Sequence, residues 1–139
     1  MKVLVDTPIW SLAFRRSKHA MNRDELRLRE ELTELIRAGR AQLIGPIRQE
    51  LLSGVREEAQ HIRLRDDLRA FRDESLTTAD YETAARVSNQ CRASGIAGSA
   101  IDFLICAVAI ERGWEVFTTD RDFCRYAQTV SVQLYSTRG

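Results

Sequence analysis

The chain has 139 residues and a mass of 15.9 kDa, with 44% hydrophobic and 29% charged residues and a formal net charge of +1. That size suits a single domain, residues 1–139, able to bury a core without disulfide or metal staples. No stretch approaches the ~18 apolar residues of a membrane span, and Met1 leads into an apolar run rather than a secretory leader, so a cytoplasmic protein without membrane attachment is expected.

In chain order, Lys2-Val3-Leu4-Val5 is a β-branched run that stops at an acid and a hydroxyl, Asp6-Thr7. Pro8 suits the first turn of a helix capped by Asp6 or Thr7 and running to about Phe14. Arg15-Arg16-Ser17-Lys18-His19 reads as a basic loop. From Asn22 onward Leu28, Leu32, Leu35 and Ile36 recur at helical spacing until Gly39 stops the helix. Gln42-Leu43-Ile44 is a small strand closed by Gly45-Pro46, and Pro46 opens a helix with Ile47 and Leu51 on its apolar side. Glu50 falls on the flank of that stripe, which aims its carboxylate near the core edge.

Leu64, Leu68 and Phe71 at one-turn spacing predict a further helix, and Tyr81, Ala84, Ala85, Ser88 and Cys91 another from Ala79, the two forming an antiparallel pair beside the sheet. Gly95 and Gly98 break the chain before Ser99. Ala100 to Arg112 is apolar nearly all round, interrupted only by Asp102, and should be buried. Gly113 ends it, and Glu115 to Thr118 is a strand that stops at Thr119-Asp120-Arg121-Asp122. A short helix from Asp120 and a last strand near Val130 to Leu134 complete the chain.

Strands alternating with helices over short connections give an α/β fold, a parallel sheet with helices on both faces and right-handed crossovers. Strands whose apolar part ends in acids place those acids at the carboxyl edge, where open α/β sheets hold their ligand crevices. Asp6 and Asp120 then converge from opposite ends of the chain.

Each acid alone has a structural explanation: Asp6 or Thr7 caps the first helix, Ser99 and Asp102 resemble a capping box, Asp120 caps the last helix, and Glu50 is a solvated helix residue. Capping does not require acids from four segments to share one crevice. Crowded carboxylates repel and raise one another's pKa, a cost that a divalent cation removes. Hard oxygen donors suit Mg2+ or Mn2+, and the chemistry that follows is water attacking a phosphodiester.

Only Lys2 and Lys18 among the 21 basic residues are lysine, and arginine makes forked bonds to phosphate that lysine cannot. Most of the arginines fit a salt-bridged helical surface, while those from Arg15 and Arg121 are candidates to grip phosphates. Cys91, Cys106 and Cys124 show no C-x-x-C spacing, so burial of each is expected rather than a disulfide or zinc role.

Val3-Leu4-Val5-Asp6-Thr7 with Ile9-Trp10, then Glu50-Leu51-Leu52-Ser53-Gly54, Asp102-Phe103-Leu104-Ile105-Cys106-Ala107 and Thr118-Thr119-Asp120-Arg121-Asp122-Phe123 occur in the order of four motifs of one family. The sequence resembles the PIN domain, and within it the VapC-type ribonuclease toxins of toxin-antitoxin pairs. That resemblance implies a PIN-like three-layer α/β fold with a central parallel sheet of about four to five strands. It also implies a Mg2+-dependent endoribonuclease, with Mn2+ as a possible substitute, whose acids are Asp6, Glu50, Asp102 and Asp120, with Asp122 as an accessory fifth. Asp6, Asp102 and Asp120 would hold the metal, Glu50 would bind a second ion or orient the attacking water, and Thr7 or Thr119 would hold a carboxylate or a water. The partners implied are RNA, a VapB-like antitoxin and a second copy in a homodimer. Cys106 stands where the family usually has alanine. Trp10 and Leu12 are candidates for the antitoxin surface, since aromatic side chains dominate interface hot spots, with core packing as the alternative for Trp10.

Other classes fit less well. A phosphoacceptor receiver needs a late lysine and none follows Lys18; a haloacid-dehalogenase-type phosphatase needs an aspartate where Pro8 stands. His19 and His61 are not placed as an acid-base pair, and no G-x-G-x-x-G fingerprint occurs. A non-catalytic PIN-like module that binds RNA or protein is the remaining alternative.

Overall fold

A computed structural model describes residues 1–137. Its centre is a four-stranded sheet in the order β2-β1-β3-β4, every pairing parallel. The strands are β1 (Val3–Val5), β2 (Ala41–Gln42), β3 (Glu115–Phe117) and β4 (Gln133–Leu134). Val3, Leu4 and Val5 are all buried, because the middle of a parallel sheet is covered on both faces. β1 lies between β2 and β3, so the first strand of the chain is also its core.

Helix α1 (Thr7–Phe14) packs on α2 (Arg23–Arg37) and α3 (Gly45–Leu52), and α4 (Glu58–Leu68) packs on α3. On the other side of the chain order, α5 (Thr78–Ala93) lies along α6 (Ala100–Arg112), and α7 (Asp122–Thr129) touches α5 and β4. Side chains decide where several of these begin. Asn22 and Glu25 exchange reciprocal bonds in a capping box at α2, as do Thr77 and Asp80 at α5, and Gly113, at φ 68°, closes α6 in the left-handed conformation that glycine adopts without strain. Phe103 through Ala109 are buried without a break, as the apolar sequence of α6 predicts.

Several expectations are corrected. The helix packed along α5 is α6, not the helix of Leu64 and Leu68. Helix α4 ends at Leu68, so Phe71 lies beyond it, where its ring meets Trp10 at 4.9 Å and Phe14 at 5.7 Å. The basic stretch after α1 contains a single 3-10 turn, Lys18–Ala20. Cys91 and Cys106 are buried but Cys124 is exposed.

Trp10 and Leu12 are 0% and 4% exposed, so neither presents a docking surface. Trp10 is held in the core because its indole N–H donates to the carbonyl of Val5 at 2.9 Å, which pins α1 to the end of β1. Among the described residues no helix is long and apolar enough to cross a membrane.

Candidate active site

The parallel register pairs Val5 with Phe117, so the chain leaves β1 and β3 side by side. The N–H of Asp6 donates to the carbonyl of Phe117 at 2.9 Å, extending the ladder by one bond. Asp6 and Thr118 therefore sit next to each other at the carboxyl edge, and the Thr118 hydroxyl donates to Asp6 Oδ2 at 2.8 Å. The other oxygen, Oδ1, accepts the N–H of Thr7 at 2.8 Å and caps α1. Capping and edge placement are thus both functions of one side chain.

Three further carboxylates meet where α6 begins and β3 runs into α7. Asp102, Asp120 and Asp122 each offer an oxygen within 4.8 Å of the other two. Asp120 is set by two local bonds: its N–H donates to Thr118 Oγ1 at 3.0 Å, and its Oδ1 accepts the N–H of Asp122 at 2.9 Å. Asp102 lies in the first turn of α6, where the Ser99 hydroxyl caps its N–H at 3.0 Å. The Asp102 carboxylate does not return to the Ser99 backbone to close the expected capping box; Oδ2 accepts the hydroxyl of Tyr126 at 2.8 Å instead. Arg125 pairs with Asp122 from the outer side of α7.

The electrostatics show the strain of this crowding. Burial lifts the Asp6 carboxyl to about 6, against the pull of the Thr118 and Thr7 bonds, and the charges of Asp102 and Glu50 add to the rise. Asp102 is also raised, first by burial, then by the charges of Asp120 and Asp122, with the Tyr126 and Ser99 bonds opposing. Cys106 lies buried under the same acids, and desolvation together with Asp102 and Asp6 pushes its thiol well up, so it stays protonated and inert.

Glu50 is exposed on α3, and with Pro46, Gln49, Ser53 and Ile101 it lines a groove of about 220 Å³ toward the start of α6. The structure thus gathers Asp102, Asp120 and Asp122 tightly and couples Asp6 to Asp102 and Glu50, making Asp102 the link between the two sets. The expected hydroxyl roles are redistributed. Thr119 is exposed, Thr7 Oγ1 is buried with no hydrogen-bond partner among the described residues, and Thr118 bonds both Asp6 and Asp120.

Thr118 becomes identifiable only once Val5 is paired with Phe117, since the residue after Phe117 then lies beside the residue after Val5 while Thr119 turns away. Tyr126 carries no such signal in the sequence.

The donor set fits a divalent cation. Oxygens of three acids converge, a fourth carboxylate is held buried at a raised pKa, and the hydroxyl of the next residue, Thr7, is buried without a partner among the described residues. Asp102, Asp120 and Asp122 are the acids whose oxygens converge closely enough to hold it, and Asp6 lies near enough to feel the charge of Asp102.

A wholly parallel sheet that collects its carboxylates at one edge, fed by the first and third strands and by the helix between them, defines an α/β protein of the acid-cluster kind. The chain belongs to the PIN domain family, whose model matches residues 3–128. VapC ribonuclease Mb1587 of Mycobacterium bovis and ribonuclease VapC11 of Mycobacterium tuberculosis are each 29% identical to it over 138 residues, covering 98% of this chain and 99% of theirs. Among solved structures it is similar in fold to FitAcB from Neisseria gonorrhoeae, with a TM-score of 0.77, 20% identity and 97% of both chains covered. VapBC2 from Rickettsia felis, bound to a DNA fragment from its promoter, gives a TM-score of 0.70 at 14% identity, covering 97% of this chain and 98% of that one.

Proposed function

We propose that this chain is a VapC-type ribonuclease toxin that hydrolyses RNA phosphodiesters with Mg2+, or Mn2+ in its place, in the cytoplasm, and that a VapB-like antitoxin binds and blocks it. The observation that carries the reading is the convergence of Asp102, Asp120 and Asp122 oxygens within 4.8 Å, next to a buried Asp6. The names of the relatives as VapC ribonucleases support the activity, and the likeness to VapBC2 supports the partner.

Bound divalent cation supplies charge neutralisation at the scissile phosphate and makes water a better nucleophile at neutral pH. Asp6, Asp102 and Asp120 would hold it, with Asp122 within reach of the same cation, and Thr118 fixes the Asp6 carboxylate. Glu50 orients the attacking water and receives its proton, a role open to an exposed carboxylate whose charge reaches Asp6. Asp122 shares the cluster and is steadied by Arg125. Arg15 and the exposed Arg121 attract RNA phosphates, so cleavage weakens as salt rises. The active form is a homodimer.

Purified chain incubated with structured RNA and Mg2+ or Mn2+ tests this. Products with a 5′-phosphate and a 3′-hydroxyl are expected, and Asp102→Asn abolishes them. Ends carrying a 2′,3′-cyclic phosphate would show that the ribose hydroxyl attacks and would refute the mechanism. Intact RNA with either metal, at protein concentrations far above any carried-over inhibitor, would favour a non-catalytic binding module.

A further inference from the structure

We infer that Tyr126 is a positioning residue, whose hydroxyl fixes the Asp102 carboxylate against the start of α7 so that Asp102, Asp120 and Asp122 form one cation site, and that Gly98 is bare to leave room for that hydroxyl. The inference rests on the cation-dependent reading above.

The three acids come from two elements that are not bonded to each other through the backbone. Asp102 belongs to α6, while Asp120 precedes α7 and Asp122 begins it. Tyr126 lies four residues after Asp122, on the same face of α7, and reaches across to Asp102 Oδ2 at 2.8 Å. One hydrogen bond therefore ties the element carrying two of the acids to the side chain of the third.

The ring that carries the hydroxyl is fully buried and clamped. Its centroid is 5.3 Å from that of Phe103, the residue after Asp102, and 5.1 Å from that of Phe123. With both neighbours packed against it, the ring has little freedom, and the direction of the hydroxyl is set by packing.

Phenylalanine would fill the same space without burying a hydroxyl, a group that is costly to bury unless it is bonded. The acceptor that satisfies this hydroxyl is the carboxylate that joins the two halves of the acid cluster.

Gly98 supplies a second, independent observation. A Cβ built there would run into the Tyr126 hydroxyl and would lie 2.7 Å from Phe103 Cζ and 2.9 Å from Phe103 Cε1, closer than real methyl groups approach. Gly98 has no positive φ that calls for glycine, unlike Gly95 at 74°. Space for the ring pair and the hydroxyl is what excludes a side chain.

The test is Tyr126→Phe in the full chain, with two measurements. Calorimetric titration of Mn2+ into the metal-free protein is expected to show the dissociation constant raised about tenfold, the lower end of what loss of a partner behind a metal ligand does. In Asp102→Ala the same change adds nothing, because the acceptor of the bond is gone. A merely structural tyrosine would lower the melting temperature of the metal-free protein and leave the Mn2+ dissociation constant within twofold of wild type, and that result overturns the inference. Should Tyr126→Phe fail to fold, Gly98→Ala displaces the hydroxyl while keeping it, and an unchanged dissociation constant there overturns the inference equally. Wild-type protein that binds Mn2+ yet leaves RNA intact removes the nuclease reading, while a tenfold loss in Tyr126→Phe still supports the positioning role. Absence of Mn2+ binding by wild type ends both.

Discussion

The hydroxyl of Thr118 donates a 2.8 Å hydrogen bond to Asp6 Oδ2, joining the ends of two parallel strands 112 positions apart in the chain. Thr118 Oγ1 in turn accepts the N–H of Asp120, so one threonine holds two of the acids that the site depends on. Thr118→Val keeps the shape and removes both bonds. It is expected to cost about 1–3 kcal/mol in urea denaturation, because a buried carboxylate loses a donor and an amide loses an acceptor. Thr119→Val, at an exposed position, should stay within about 0.5 kcal/mol of wild type. Equal effects at the two positions would contradict the division of roles.

Asp6 makes the metal-free protein sensitive to pH in a defined direction. Its folded carboxyl titrates at about 6, above the ordinary value of 3.8, so between those pH values the folded state binds more protons than the unfolded one. The contribution of this group to stability is therefore greatest below that window and falls as pH rises through it, by on the order of 3 kcal/mol. Asp6→Asn should flatten that slope and raise the melting temperature at pH 7 relative to wild type. A stability difference, metal-free wild type minus Asp6→Asn, that grows from pH 4 to 6.5 would reverse the sign and exclude the shift.

A cation that relieves this repulsion must stabilise the folded chain. Mn2+ at a hundredfold excess over its dissociation constant is expected to add about 2.7 kcal/mol, read as a higher melting temperature that a chelator reverses. Asp102→Asn, lacking the acid that links the two sets, should show little of this gain. A calorimetric scan with and without Mn2+ at pH 7 decides it.

Trp10→Ala should lower stability by about 3–5 kcal/mol, the usual loss for an aromatic ring removed from a core. The indole is fully buried, bonded to Val5 and packed against Phe71. If the variant melted with wild type and lost only partner binding, the ring would have to be an interface anchor after all.

The ion cluster far from the acids is structural. Asp80 is 1% exposed and is gripped by both terminal nitrogens of Arg112 at 2.8 and 2.9 Å, which holds its carboxyl below the usual range. Arg112→Met should cost about 3–5 kcal/mol at pH 7, since it strands a buried charge. Replacing Asp80 by alanine in the same protein should recover part of that loss, measurable as coupling in a double-mutant cycle.

Apolar runs and their terminating acids made the sheet edge readable in advance: β1, β3 and α6 all lie where β-branched runs and the apolar helix predict them. Asp6 and Asp102 were legible for the same reason, because an acid at the end of an otherwise apolar segment has few reasons to be there. Trp10 was not, since an aromatic at the start of a helix suits a core and an interface equally until its N–H is seen to reach Val5. The α5–α6 pairing was missed because short amphipathic helices state which face is apolar but not which neighbour covers it. Tyr126 and Gly98 were missed for a related reason. Their relation to Asp102 exists only across the gap between two elements, and no spacing along the chain encodes it.

The strand order has a consequence for synthesis. β1 is made first and finds β2 within forty-odd residues, yet its other neighbour, β3, does not emerge until position 115. A nascent polypeptide still attached to the ribosome can therefore begin to fold around its first strand while lacking Thr118, Asp120 and Asp122 altogether. Under the proposed activity, a prematurely terminated product would be harmless to the RNA around it, and the translating machinery would be exposed to the toxin only once the last of its acids had been delivered.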